Sequence, residues 1–207
     1  GTRAAQANAA PANDAERAVL RRAEERSLPP HLRLGLTIGA MEAHLASLPH
    51  DAVEMCNAAI PQGADGMPEY PLNTELTGYV NQHMIKQADP ASSFCERLQR
   101  KGSRDVGLAT VFVSWWLGLK LAILIDALRQ YLKQHPELPS DTKFWGCDFV
   151  IRQGNADLSD VGRLGDCVYA VGHTVLLLET REGPAPLSRA RCVYEVYKAT
   201  DRKADCE

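Results

Sequence analysis

The second half of the chain alternates short apolar runs with amphipathic stretches, and this alternation is the strongest constraint on its fold. Three runs have the length and the apolar, β-branched content of buried strands, namely Ala109–Ser114, Lys143–Ile151 and Thr174–Leu178. Helical apolar patterns follow them at about 119–134, 158–168 and 188–200. A repeated strand–helix order is typical of right-handed crossovers around a parallel sheet. The sequence therefore predicts an α/β fold with a short parallel sheet of three readable strands.

The first hundred residues predict helices and loops. Asn13 or Asp14 can cap a charged helix that ends near Arg26, and this helix is either solvated or laid on another chain. A second helix begins at Pro30, with an apolar stripe formed by Leu34, Ile38, Met41, Leu45 and Leu48. The segment 61–71, PQGADGMPEYP, is a loop by its proline and glycine content. We therefore expect an α-helical N-terminal region with an extended arm at 1–104, and an α/β domain at 105–207 that is either curtailed or continued beyond Glu207.

Composition excludes several classes of protein. The net charge is −3, and neither half of the chain has an excess of Lys and Arg, which argues against a nucleic-acid-binding surface. No apolar run approaches the roughly 18 residues of a membrane span. The six cysteines and six histidines are scattered without the short paired spacings of metal ligands. These features predict reduced thiols in an intracellular protein without a metal site, in the cytoplasm or inside a chloroplast or mitochondrion.

A candidate site follows from the predicted sheet. Ligands of open parallel sheets bind outside the carboxyl ends of the strands. The segments after the three predicted strands are 114–118, 148–155 and 179–188, so we expect them to share one rim of the sheet.

Three segments on or near this rim carry a resemblance to a known family. Residues 109–116 read ATVFVSWW, residues 172–179 read GHTVLLLE, and residues 186–195 read PLSRARCVYE. Together they resemble the Toll/interleukin receptor (TIR) domains, and more narrowly the uncharacterised TIR-like proteins of algae and protists. The resemblance covers about residues 107–200 and implies a flavodoxin-like sheet. Trp115 stands where many relatives have histidine, and Arg191 stands where they have tryptophan.

Some TIR domains hydrolyse NAD at the nicotinamide–ribose bond with a glutamate of the last helix, which the resemblance places at Glu195. A carboxylate beside this bond can stabilise the oxocarbenium-like centre and orient water. Ser114, Trp115 and Asp148 would then line the pocket, with NAD as the substrate. The alternative is that Glu195 is an ordinary exposed helix residue, paired with Arg191 or Lys198.

Other TIR domains are not catalytic and act by assembling with each other or with adaptors. The missing strands, the two altered positions and the N-terminal arm favour this class. The third strand, Thr174–Leu178, would be an open sheet edge that needs a cover. We therefore expect a non-catalytic scaffold without a cofactor, which contacts other chains through the N-terminal arm and the sheet edge, with interface residues Trp115, Trp116, Val175 and Leu177.

Overall fold

A computed structural model describes residues 13–154, 159–178, 190–201 and 205–206. The helices in these ranges are α1 (Asp14–Glu25), α2 (Ile38–Ser47), α3 (Ala52–Ala58), α4 (Gly78–Ala88), α5 (Phe94–Arg100), α6 (Leu121–Gln134), α7 (Cys147–Val150), α8 (Ser159–Gly162), α9 (Leu164–Val171) and α10 (Ala190–Asp201). The strands are β1 (Leu34–Leu36), β2 (Val106–Leu108), β3 (Val111–Ser114), β4 (Phe144–Trp145), β5 (His173–Leu176) and β6 (Asp205–Cys206). A short 3-10 helix at Pro30–Arg33 precedes β1.

The six strands form one mixed sheet in the order β2-β1-β4-β3-β5-β6. Neighbouring strands from β4 to β6 are parallel, whereas β1 is antiparallel to both β2 and β4. The predicted α/β class is therefore confirmed, and the sheet contains three strands besides the three that the sequence predicted, with antiparallel pairing at β1. Numbered along the chain, the four parallel strands have the order 2-1-3-4, which is also how the flavodoxin-like order begins.

Two of the predicted strands differ from the observed ones. The run Lys143–Ile151 forms only the two-residue strand β4, because the chain turns at Gly146 into α7, where the amides of Phe149 and Val150 both donate to the Gly146 carbonyl. The run Thr174–Leu178 lies inside the sheet, between β3 and β6. The expected open edge at this strand is therefore wrong, since Thr174 pairs with Phe112 on one side and with Cys206 on the other.

The N-terminal half contributes to the same sheet. The predicted helix over 30–48 is divided, because residues 34–36 pair with β2 and β4, and α2 starts only after Thr37, whose hydroxyl accepts from the Ala40 amide. Gly35 permits this pairing, since a Cβ there would lie 2.8 Å from the Phe144 carbonyl oxygen. The main core contains buried residues from both halves, so the expected boundary at 104/105 does not separate two cores.

The charged helix α1 packs on its own chain rather than standing free. Its buried residues are Val19 and Ala23, and it lies against α9. The Arg22 guanidinium donates to the carbonyls of Ala170 and Val171 at 2.8 and 2.7 Å, where α9 ends. The expected arm at residues 1–12 lies outside the described residues. Among the described helices, none combines the length and hydropathy needed to span a bilayer.

Candidate functional site

The carboxyl ends of β3 and β5 meet at the point where the strand order reverses. The chain leaves β3 through α6 to reach β4 on one side, and later returns through α9 to β5 on the other side. The Leu177 amide donates to the Ser114 carbonyl at 2.9 Å, which keeps these two strand ends together. In doubly wound sheets this switch point is the usual ligand site.

Ser114 and Glu195 form a buried hydrogen bond at this switch point. The Ser114 hydroxyl, on the last residue of β3, donates to the Glu195 carboxylate of α10. Both residues are buried, with Ser114 0% and Glu195 4% exposed. The alternative that Glu195 is an exposed helix residue is therefore wrong, because its side chain turns inward to the sheet. The side chain of Arg191 lies outside the described part of the chain.

A second contact ties α10 to the same segment. The Cys192 thiol, one turn before Glu195, donates to the Trp115 carbonyl with a sulfur–oxygen distance of 3.7 Å. The Trp115 ring is 3% exposed and covers the start of α4, where a Cβ on Gly78 would lie 2.7 Å from the indole. Within the described residues the Trp115 indole nitrogen has no hydrogen-bond acceptor. Ser114, Trp115 and α10 thus form one packed unit.

Asp148 is held by a polar chain from the N-terminal half. The Asn81 amide nitrogen donates to the Asp148 carboxylate at 2.6 Å, and the Asn81 oxygen faces His44 Nε2 at 2.6 Å. Asn81 and Asp148 are 1% and 0% exposed. The structure therefore brings Ser114 and Glu195 together, whereas Asp148 is bound to a residue of α4 that the sequence did not single out.

His44 completes this chain as a neutral donor. Burial lowers its pKa, and the positive charge of Arg97 acts in the same direction, although the hydrogen bond to Asn81 raises it. Its ring packs against Phe94 and Phe149, with centroids 4.3 and 5.8 Å away. Because the Asn81 amide nitrogen is used by Asp148, Asn81 presents its oxygen to His44, so Nε2 carries the proton. Neither His44 nor Asn81 belongs to a spacing pattern that predicts a site.

The four expected interface residues are all at least partly buried within the chain itself. Trp115 is buried and offers no surface to a partner in this conformation. Trp116 is half-buried, and its indole covers Gly118, where a Cβ would lie 2.3 Å from the ring. Val175 and Leu177 are also partly buried and pack against the main core.

The outer face of α10 is the apolar surface next to the Ser114–Glu195 pair. Val193, Tyr194 and Tyr197 are 45%, 43% and 54% exposed. The Lys198 ammonium lies over both tyrosine rings, at 5.4 and 5.3 Å from their centroids. Lys198 therefore contacts the aromatic face. Helix α10 is thus fixed to the sheet on one side by the Glu195–Ser114 hydrogen bond and exposes aromatic residues on the other.

A cavity of about 380 Å³ lies at the opposite end of the sheet. It is lined by residues that precede the parallel strands, including Thr110, Lys143 and Gly172, and by α1 residues such as Val19 and Arg22. It is therefore not the switch-point site expected for an α/β sheet. Among the described residues, no three His, Cys, Asp or Glu side chains are placed to hold a metal ion.

In the described ranges, the fold and the rim define an α/β protein with a mixed six-stranded sheet and a buried serine–glutamate pair at its switch point. The chain has no significant match among protein-family models, curated proteins or solved structures.

Proposed function

We propose that this chain is a protein-interaction component of a larger assembly, built on a TIR-like domain that uses α10 as its contact surface. The observation that carries the proposal is the exposed face of α10, formed by Val193, Tyr194 and Tyr197. Tyrosine is enriched at protein interfaces because it supplies a large rigid contact area together with a hydroxyl group.

The buried side of α10 supports this role. Glu195 and Cys192 bind the helix to Ser114 and Trp115, so the outer face is held in a fixed orientation relative to the sheet. A preorganised helix loses little conformational freedom when a partner binds, and this favours affinity. In this proposal Glu195 is a positioning residue for the contact surface, and no cofactor takes part.

Replacing Tyr194 and Tyr197 together by serine is expected to weaken self-association about tenfold or more, because two exposed aromatic anchors are lost. Sedimentation velocity over a concentration series measures this. The matched control is Ile123→Ser, which removes an apolar side chain that is 39% exposed on α6. A wild-type chain that stays monomeric at every concentration, or equal weakening by the control, would contradict self-association through α10.

NAD hydrolysis is the second candidate function, and the contact between Ser114 and Glu195 at the switch point favours it. In this reaction the bond between the nicotinamide nitrogen and the ribose C1′ breaks with both electrons going to nicotinamide. Water then adds to C1′ and loses a proton, which gives ADP-ribose. A carboxylate held by a serine hydroxyl is suited to stabilising the positive charge at C1′.

Glu195→Gln separates the two functions. The amide keeps an oxygen for the Ser114 hydroxyl but removes the negative charge, so an NAD hydrolase is expected to lose about 100-fold or more of its nicotinamide release. Chromatographic detection of nicotinamide measures this, with the exposed Glu24→Gln as control. If neither wild type nor variant releases nicotinamide while both are folded, the hydrolase candidate is excluded and Glu195 remains a positioning residue.

A further inference from the structure

A second group of exposed apolar residues lies far along the sequence from α10, in a small lobe formed by residues 51–79. This lobe comprises α3, the following loop and the start of α4, and its residues Ala52 and Cys56 pack with the adjoining Val80 in a small core separate from the main core. Ten large apolar residues in the described chain are markedly exposed, and half of them belong to the lobe, namely Met55, Met67, Tyr70, Leu72 and Tyr79. Such a concentration is typical of an interaction surface.

The loop that carries these residues has a defined conformation. The Gly63 amide donates to the Met67 carbonyl at 2.8 Å, and Gly66 between them has a φ of 75°, which glycine adopts without strain. Further along, the Asn57 side chain donates to the Asn73 carbonyl and accepts from its amide, both at 2.8 Å. The exposed side chains are thus presented by a fixed loop, which lowers the conformational entropy lost on binding.

The charge on this lobe has one sign. Five acidic residues lie within 51–79 and all are exposed, namely Asp51, Glu54, Asp65, Glu69 and Glu75. The sequence has no Lys or Arg between positions 34 and 85. At the lobe's border, Lys120 lies 2.5 Å from the Glu75 carboxylate and neutralises one of the five charges. The lobe that carries the exposed apolar residues therefore has a net negative charge of its own.

We propose that the lobe of residues 51–79 docks a basic segment with apolar anchors, supplied by a partner protein. Methionine and tyrosine side chains adapt to apolar anchors of different shape, and the acidic surroundings attract lysine and arginine at the ends of such a segment. Negative charge excludes a nucleic-acid backbone or an anionic membrane from the same surface. This goes beyond the proposed function because it uses a surface other than α10.

Helix α1 of a second copy is not the occupant, because its three arginines are outnumbered by four acidic residues. Helix α1 carries Arg17, Arg21 and Arg22, but its apolar residues Val19 and Ala23 are buried against α9. Helix α1 therefore offers the lobe neither exposed apolar anchors nor net positive charge.

Peptide binding tests this inference. The probe is a synthetic peptide with lysine and leucine at helical spacing, labelled for fluorescence anisotropy. Two matched peptides replace either every leucine by serine or every lysine by glutamate. Only the lysine–leucine peptide is expected to bind, with an affinity that falls as salt is added, since screening weakens the charge attraction. Equal binding of the serine peptide would show charge attraction without a docking site and would overturn the proposal.

Variants of the lobe locate the binding. Tyr70→Ser with Leu72→Ser is expected to weaken the peptide about tenfold or more, and Asp65→Lys with Glu69→Lys to a similar extent. The control for charge is Glu24→Lys with Glu137→Lys, which changes net charge equally on other elements and should leave affinity nearly unchanged. Peptide binding that is unaffected by the lobe variants but lost with the Tyr194 and Tyr197 double variant would overturn the inference while supporting α10 as the contact surface.

Discussion

Replacing Trp145 by alanine is expected to lower the free energy of unfolding by about 3–5 kcal/mol, which is typical of deleting a fully buried aromatic side chain. Trp145 is 0% exposed and stacks on Phe112 of the neighbouring strand, with ring centroids 4.6 Å apart. Its indole nitrogen donates to the Leu32 carbonyl at 2.8 Å. The substitution therefore leaves a cavity at the centre of the sheet and an unsatisfied carbonyl next to it.

Trp145→Phe is the matched variant. It keeps a ring that can stack on Phe112 but has no donor for Leu32, so only the hydrogen bond and part of the volume are lost. The expected loss is about 1–3 kcal/mol. Urea unfolding followed by circular dichroism measures both variants. Alanine and phenylalanine variants of equal stability would show that the ring's packing contributes little, contrary to the role assigned to it.

Two strands of the sheet show why only part of the fold could be predicted from the sequence. The run Val111–Ser114 is β-branched and apolar, so its strand could be predicted from local pattern alone. Residues 34–36, by contrast, continue an apolar spacing of three and four that favours a helix. They become a strand because Gly35 allows close pairing with Phe144 and Gly107, which are far away in sequence. The hydrophobic pattern of a short stretch of sequence carries no information about pairing with such distant residues.

The candidate site, like the fold, could be predicted only in part from the sequence. Ser114 ends a recognisable strand, and Glu195 lies in a recognisable helix, so their common rim could be predicted from strand direction. Whether Glu195 points inward or to solvent depends on the rotation of α10, which the Cys192 and Ser114 contacts set. The chain from His44 through Asn81 to Asp148 joins residues 37 and 67 positions apart, and no local signal marks them as partners.

Replacing Asn81 by aspartate is expected to cost about 3–5 kcal/mol at neutral pH, because it removes the donor to a buried carboxylate and puts a second acidic group beside it. Asn81 donates to the Asp148 carboxylate at 2.6 Å, and both side chains are buried. The variant N81D has nearly the same shape but puts a second carboxylate at this distance. The two groups cannot both stay ionised in such a site, so they must share a proton.

The destabilisation caused by N81D is expected to increase as the pH rises. The shared proton means that the pKa of the carboxylate pair is higher in the folded protein than in the unfolded chain. Below the unfolded value of about 4 both states are protonated, and the destabilisation is smallest. As pH rises from about 4 to 7, the unfolded chain loses this proton first, so the stability gap to wild type widens. Urea unfolding at several pH values measures this gap.

The double variant N81D/D148N tests whether this contact is the cause. It exchanges the amide and the carboxylate, so one group again donates to the other, and the oxygen facing His44 Nε2 remains an acceptor. The double variant is expected to recover most of the stability that N81D loses and to show a smaller pH dependence. Losses that simply add would mean that Asn81 and Asp148 are energetically independent. Recovery would instead establish the pair as the contact through which α4 of the N-terminal half fixes the segment after β4 at the rim.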